Sequence, residues 1–141
     1  MITFNYETPF SLNNEGVLTN WIESAIEKES FILGEINFIF CDDPYLHKIN
    51  VEYLNHDTLT DIISFDYREG KTLHGDIFIS IDRVEENAKK YSVEFFNELF
   101  RVMIHGVLHF CGYQDKSEEQ KSIMRNKEDA YLLALEELKL K

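Results

Sequence analysis

The chain is short of cysteine, proline, glycine and positive charge, and each shortage removes a class of protein. Two cysteines, Cys41 and Cys111, stand in apolar surroundings without CxxC spacing, which excludes a disulfide framework and fits a reducing compartment. Two prolines and six glycines, beside 44% hydrophobic and 13% aromatic residues, exclude a fibrous or disordered chain. No apolar run approaches the roughly 18 residues of a membrane span. The start, MITFNYETPF, lacks the basic opening and apolar stretch of a secretory signal, so a soluble cytoplasmic protein is expected. Lys and Arg number 14 against 26 Asp and Glu, a net charge of −12. Such a surface repels polyanions at long range. Any nucleic-acid role therefore needs a local basic patch, a metal or a protein partner.

What is present suits one domain over residues 1–141. At that length folding covers roughly two-thirds of the surface exposed by the unfolded chain. ITFNY reads as a strand, and VLTNWIESAIEK as an amphipathic helix carrying Val17, Leu18, Trp21, Ile22, Ala25 and Ile26 at helical spacing. EINFIF (35–40) is a strand, after which CDDP provides an acidic cap and Pro44 a first helical turn for PYLHKINVEYL. DIISFDY (61–67) and GDIFISI (75–81) are strands joined by a polar segment that permits either a hairpin or a short crossover. A helix follows over 81–90 with Val84 and Ala88 inward, and Ser92 is a plausible N-cap for the next. The order β-α-β-α-β-β-α-α-α predicts an α+β fold, a small mixed sheet packed by about five helices.

The segment 93–110 is apolar on nearly every side and predicts a helix buried in the middle of the domain. Gly112 is placed to end it, and Ser117 with Gln120 forms a capping-box pattern for a last helix from Glu118 to about Leu138. Inside the apolar helix, HGVLHFCGYQD sets His105 and His109 four apart, on one face. Two imidazoles without strong partners would each cost a few kcal/mol there, a cost that a metal removes. A turn at Gly112 lets Asp115 swing back as a third ligand. The spacing H-x3-H-x2-G-x2-D matches an extended zinc-peptidase motif with aspartate in the third place. Two imidazoles and one carboxylate leave the open fourth position of a catalytic zinc.

Gly106 then directs the chemistry. Zinc peptidases of this spacing have a glutamate base immediately after the first histidine, and a glycine there favours phosphodiester over peptide cleavage, because a metal can still polarise a phosphoryl oxygen and activate water.

HGVLHFCGYQD resembles the H-G-x-L-H-L-x-G-Y-D-H signature of the YbeY-type metal-dependent endoribonucleases, or rRNA maturation factors. NVEYLNHDTLTDIISF (50–65) is similar to the family's LN-x-x-Y-R … T-D-V-L-S-F segment and LHGDIFIS (73–80) to its L-G-D-I-x-I-S strand, while Glu98, Leu99, Met124 and Glu128 fall on pattern. The resemblance implies a zincin-like fold with one zinc per chain on the central buried helix. It also implies cleavage of single-stranded RNA in 16S rRNA 3′-end maturation and ribosome quality control, with rRNA and ribosomal proteins as partners and no membrane.

Carried over by position, the ligands are His105, His109 and Asp115, the last replacing the usual third histidine. The family's arginine after its tyrosine is Leu54 here, which cannot fork onto phosphate. Arg68 and Lys71, in the loop between the central strands, are the substitutes considered. Asp76 joins Gly106 as a catalytic-site candidate, to orient a ligand or hold water. Asp61 and Ser64 are candidates to line the cleft, and Lys116, Lys121 and Arg125 to form a basic rim near Asp115. A metal-dependent hydrolase of another substrate, and a non-catalytic ribosome-associated factor with a structural metal, are the competing functions.

Overall fold

Alternation of β-branched and aromatic residues with smaller ones builds four strands, β1 (Ile2–Tyr6), β2 (Ile32–Cys41), β3 (Ile62–Asp66) and β4 (Thr72–Ser80). In the computed structural model, which describes residues 1–139, they form one sheet in the order β1-β2-β4-β3. β1, β2 and β4 are parallel, and β3 runs antiparallel to β4, with Ile63 opposite Phe78 and Phe65 opposite Asp76. The segment between β3 and β4 therefore closes a hairpin. Five helices complete the α+β fold: α1 (Glu15–Lys28), α2 (Asp43–Leu54), α3 (Ile81–Lys90), α4 (Phe95–Phe110) and α5 (Glu118–Lys139).

The pleat sorts the sheet into two faces. From β4, Leu73, Ile77 and Ile79 enter the large core with Phe38 and Phe40 of β2, Trp21 and Ile22 of α1, and Met103, Ile104 and Leu108 of α4. Phe78 and Phe65 instead turn to the opposite face, where α2 packs through Leu46 beside Cys41 and Ile63. Helix α4 hides Leu99, Met103, Ile104 and Leu108 completely. At about 1.5–3 kcal/mol per such side chain, tertiary burial rather than helix propensity holds it in place. Trp21 Nε1 donates to the Tyr131 carbonyl at 2.7 Å, tying α1 to α5 across the core.

Local capping agrees with the sequence in most places. The Asp42 carboxylate accepts from the Tyr45 amide at 3.0 Å ahead of Pro44. Ser117 Oγ accepts from the Gln120 amide, and Gln120 Oε1 from the Ser117 amide, each at 3.1 Å, completing the capping box.

Ser92 is the exception. It adopts φ +56°, and its amide and that of Val93 reach back to the carbonyls of Lys89 and Ala88. It thus ends α3 rather than beginning α4, whose N-cap is Glu94. Strand β2 also starts at Ile32 rather than Glu35, because Ile32 and Leu33 pair with Thr72 and Leu73 beyond a register shift.

Candidate metal centre

Helix α4 can carry a site because Gly106 brings it onto the sheet. A Cβ at Gly106 would stand 3.0 Å from Ile62 Cδ1 and 3.1 Å from Ile77 Cδ1, tighter than ordinary van der Waals contact. His105 and His109 flank this contact and lie half-buried at its edge. Gly112, at φ +101°, then turns the chain as only glycine does without strain, and the Tyr113 amide closes onto the Leu108 carbonyl at 3.1 Å.

The turn returns Asp115 to the histidines. His105 Nε2 and His109 Nε2 are 2.9 Å apart, and Asp115 Oδ2 lies 3.2 Å from the first and 3.5 Å from the second. Each of the other ring nitrogens faces an acceptor: His105 Nδ1 donates to Glu128 Oε2 at 2.6 Å, and His109 Nδ1 to the Tyr113 carbonyl at 2.9 Å. Those acceptors assign the proton of each neutral ring to Nδ1. Both Nε2 lone pairs then point at one another and at a carboxylate oxygen, an arrangement that repels itself unless a proton or a metal ion sits among them.

The donor set fits a metal. Ligand atoms on a tetrahedral zinc stand about 3.3 Å apart, given bonds of about 2.0–2.1 Å. The three observed separations bracket that figure. The partners of the ligands are themselves held. Arg101 Nη1 donates to Glu128 Oε1 at 2.9 Å and its Nη2 to Asp129 at 2.7 Å. Burial would lower the basicity of His105, but Glu128, Asp115 and Asp61 outweigh it and hold its pKa above the ordinary value.

Behind Tyr113 lies a second network. Glu29, at the end of α1, accepts from the Tyr113 hydroxyl at 2.6 Å, from Lys127 Nζ at 3.2 Å and from the Tyr131 hydroxyl. These bonds outweigh its burial and lower its pKa.

A cleft of about 730 Å³ opens beside His105 and Asp115. Asp61, Glu98 and Glu128 line it, as do Arg101, Lys121 and Arg125. Burial pushes the pKa of both Asp61 and Glu98 upward. Asp61, Lys121 and Arg125 thus line the cleft, whereas Lys116 of the expected basic rim does not. Ser64 instead lines a neighbouring hollow with Leu54.

Other candidates are placed elsewhere. Asp76 alternates with the core-facing residues of β4, so it sits on the opposite face of the sheet, taking a hydrogen bond from Asn37 Nδ2 at 2.9 Å; the structure does not bring it to the histidines. Arg68 Nη1 donates to the Phe110 carbonyl at 3.1 Å, and both Arg68 and Lys71 lie over the Phe31 ring. Arg68 caps the end of α4, Lys71 stays over Phe31, and neither lines the cleft. Gly106 has no side chain to enter the site, and its part is to let the ligand helix approach the sheet.

The sequence did not single out Glu128 or Arg101 for the roles they hold. Glu128 lies 23 residues beyond His105; its place on the family pattern marked the position, but nothing in the sequence paired it with His105.

The model of the family described as Endoribonuclease YbeY matches residues 3–136. A protein of Flavobacterium johnsoniae named Endoribonuclease YbeY is 63% identical over 129 residues, covering 92% of this chain and 93% of its own. One of the same name from Flavobacterium psychrophilum is 59% identical over 132 residues, 94% of each chain. The fold is similar to a solution structure of a Thermotoga maritima protein, with TM-score 0.72 and 28% identity over 96% of this chain and 89% of that one. With ligand spacing, fold and near full-length similarity in agreement, the chain belongs to the YbeY family of endoribonucleases.

Proposed function

We propose that this protein is a zinc-dependent endoribonuclease of single-stranded RNA, a zincin-like single domain acting in the cytoplasm in 16S rRNA 3′-end maturation and ribosome quality control. One observation carries the metal-dependent part. Two imidazole nitrogens and a carboxylate oxygen converge within bonding range of one point, with both Nδ1 protons committed to acceptors behind them. His105, His109 and Asp115 would hold the zinc. The chemistry available at such a centre is Lewis-acid polarisation of a phosphoryl oxygen and a lowered pKa for water.

The chain's own residues prepare that centre. Glu128 and the Tyr113 carbonyl keep both rings in the tautomer that presents Nε2, and Arg101 keeps Glu128 turned toward His105. Lys121 and Arg125, on one face of α5 at the cleft, are the phosphate contacts that offset Leu54. Gly106 supports the substrate class, because a peptidase glutamate there is absent and its Cβ would press on Ile62 and Ile77. The similarity to proteins named endoribonucleases supports RNA as substrate, and the setting of rRNA and ribosomal proteins is what the motif resemblance implies.

The test is cleavage of an unstructured RNA and of the same sequence as a duplex. Cutting of the single strand alone, abolished by a chelator and restored by zinc, is expected. Chelator-insensitive cleavage would refute the metal's role, and equal cutting of the duplex the single-strand preference.

A further inference from the structure

The cleft beside His105 is also lined by a side chain that no group among the described residues satisfies. Glu98 is 8% exposed, yet among the described residues its carboxylate has neither a hydrogen bond nor an ion pair within 4 Å. The cation one turn along α4, Arg101, is committed to Glu128 and Asp129. No fully covered side-chain oxygen in the described structure lacks a partner, so the oxygens of Glu98 keep their residual opening, and the residue lines the cleft. A carboxylate so enclosed is costly unless something donates to it.

Its position limits what that is. Glu98 precedes His105 by seven residues on one helix, about 10 Å at 1.5 Å per residue, a distance of one to two nucleotides along an extended strand. The same cleft is lined by Asn87, Val93 and Tyr91. Tyr91 is 58% exposed, and Lys90 Nζ stands 5.6 Å from its ring centroid. An exposed aromatic ring, an adjacent cation and an unsatisfied carboxylate match the face, the phosphate and the edge of an unpaired nucleobase.

We propose that Glu98 and Tyr91 form a guanine subsite beside the metal centre: the base stacks on Tyr91, and its N1–H and N2–H donate in parallel to the two oxygens of Glu98. Guanine alone among the four bases offers two adjacent donors on that edge, and a carboxylate is the acceptor that pairs with both. Uracil offers one donor between two oxygens, and the second carboxylate oxygen would face one of them. The subsite rests on the single-strand endoribonuclease reading and gives it a sequence preference.

The experiment uses the zinc-loaded full chain and labelled single-stranded hexanucleotides of uridine. One guanosine is moved through each position and compared with inosine, which lacks the N2 amino group, at the same place. Binding and cleavage are measured on the same oligonucleotides for the parent, Glu98→Gln and Tyr91→Ala. A guanosine one or two positions from the cut should bind about tenfold tighter than uridine there, with inosine intermediate. Glu98→Gln, which puts a donor where an acceptor stood, should erase the difference while zinc affinity and unfolding midpoint stay at parental values. Tyr91→Ala should weaken binding of every base.

A parent that treats guanosine and inosine alike, or a Glu98→Gln chain that keeps the preference, overturns the subsite. The inosine comparison needs no variant and so does not depend on how Glu98→Gln folds. A parent that cleaves without base preference overturns the subsite alone. One that binds guanosine selectively but does not cut overturns the endoribonuclease reading alone.

Discussion

Glu128 does for His105 what the Tyr113 carbonyl does for His109: it takes the Nδ1 proton and leaves Nε2 free. Partners of metal-bound histidines typically control affinity by 10–100-fold. Glu128→Gln should therefore weaken zinc binding by about that factor, as measured by competition with a chromophoric chelator. Gly106 tests the opposite kind of residue, one that acts by lacking atoms. Gly106→Glu would insert the peptidase base into a contact that a methyl group already overfills. It would also bury a carboxylate against Ile62 and Ile77 without a donor. It should cost about 3 kcal/mol or more in denaturant unfolding and confer no peptidase activity.

At the scale of elements, the sequence reading recovered every strand and helix in order, because each long apolar segment keeps one period throughout. What it missed depended on neighbours. Ser92 has the chemistry of an N-cap but closes α3, since two carbonyls behind it needed donors. Asp76 lies on a strand rightly predicted, but which face a strand residue occupies depends on which helices cover each side. Arg68 and Lys71 are loop cations whose place over Phe31 is set by the hairpin. The grouping of His105, His109 and Asp115 was legible because it spans one helix and one turn. Glu128 was not, since its meeting with His105 requires the docking of α5 on α4.

Glu29 shows how such docking reaches the site, joining α1 to Tyr113, whose carbonyl holds His109. Its carboxyl pKa is depressed in the folded state from the usual 4.5. Its contribution to stability is thus complete above that value and is lost as pH falls through the lower folded value. Glu29→Gln should lose about 1–3 kcal/mol near neutrality, and the gap from the parent should close as unfolding is repeated toward acid pH.

For the molecule as a whole, the issue is how a chain of net charge −12 holds a polyanion. The cleft answers locally, with Arg101, Lys121 and Arg125 on its walls beside the metal ligands. Arg101 is engaged by Glu128 and Asp129 and Lys121 pairs loosely with Glu118 at 3.7 Å, so Arg125 is the cleft cation without an ion pair among the described residues and the first to meet phosphate. Each phosphate contact to a single strand adds about −0.7 to the slope of log affinity against log salt. Arg125→Ala should flatten that slope by about this amount and leave zinc affinity unchanged.

Beneath all of these lies the convergence of His105, His109 and Asp115 on one point, where a metal ion could be held. The most direct test is zinc content and single-stranded RNA cleavage on one preparation of the parent and of His109→Ala. The account predicts one zinc per parent chain. It predicts a folded variant that holds little zinc and has lost about 10²-fold or more of the cleavage rate. A zinc-free parent that cleaves at full rate, or a variant that cleaves as the parent does, would contradict it.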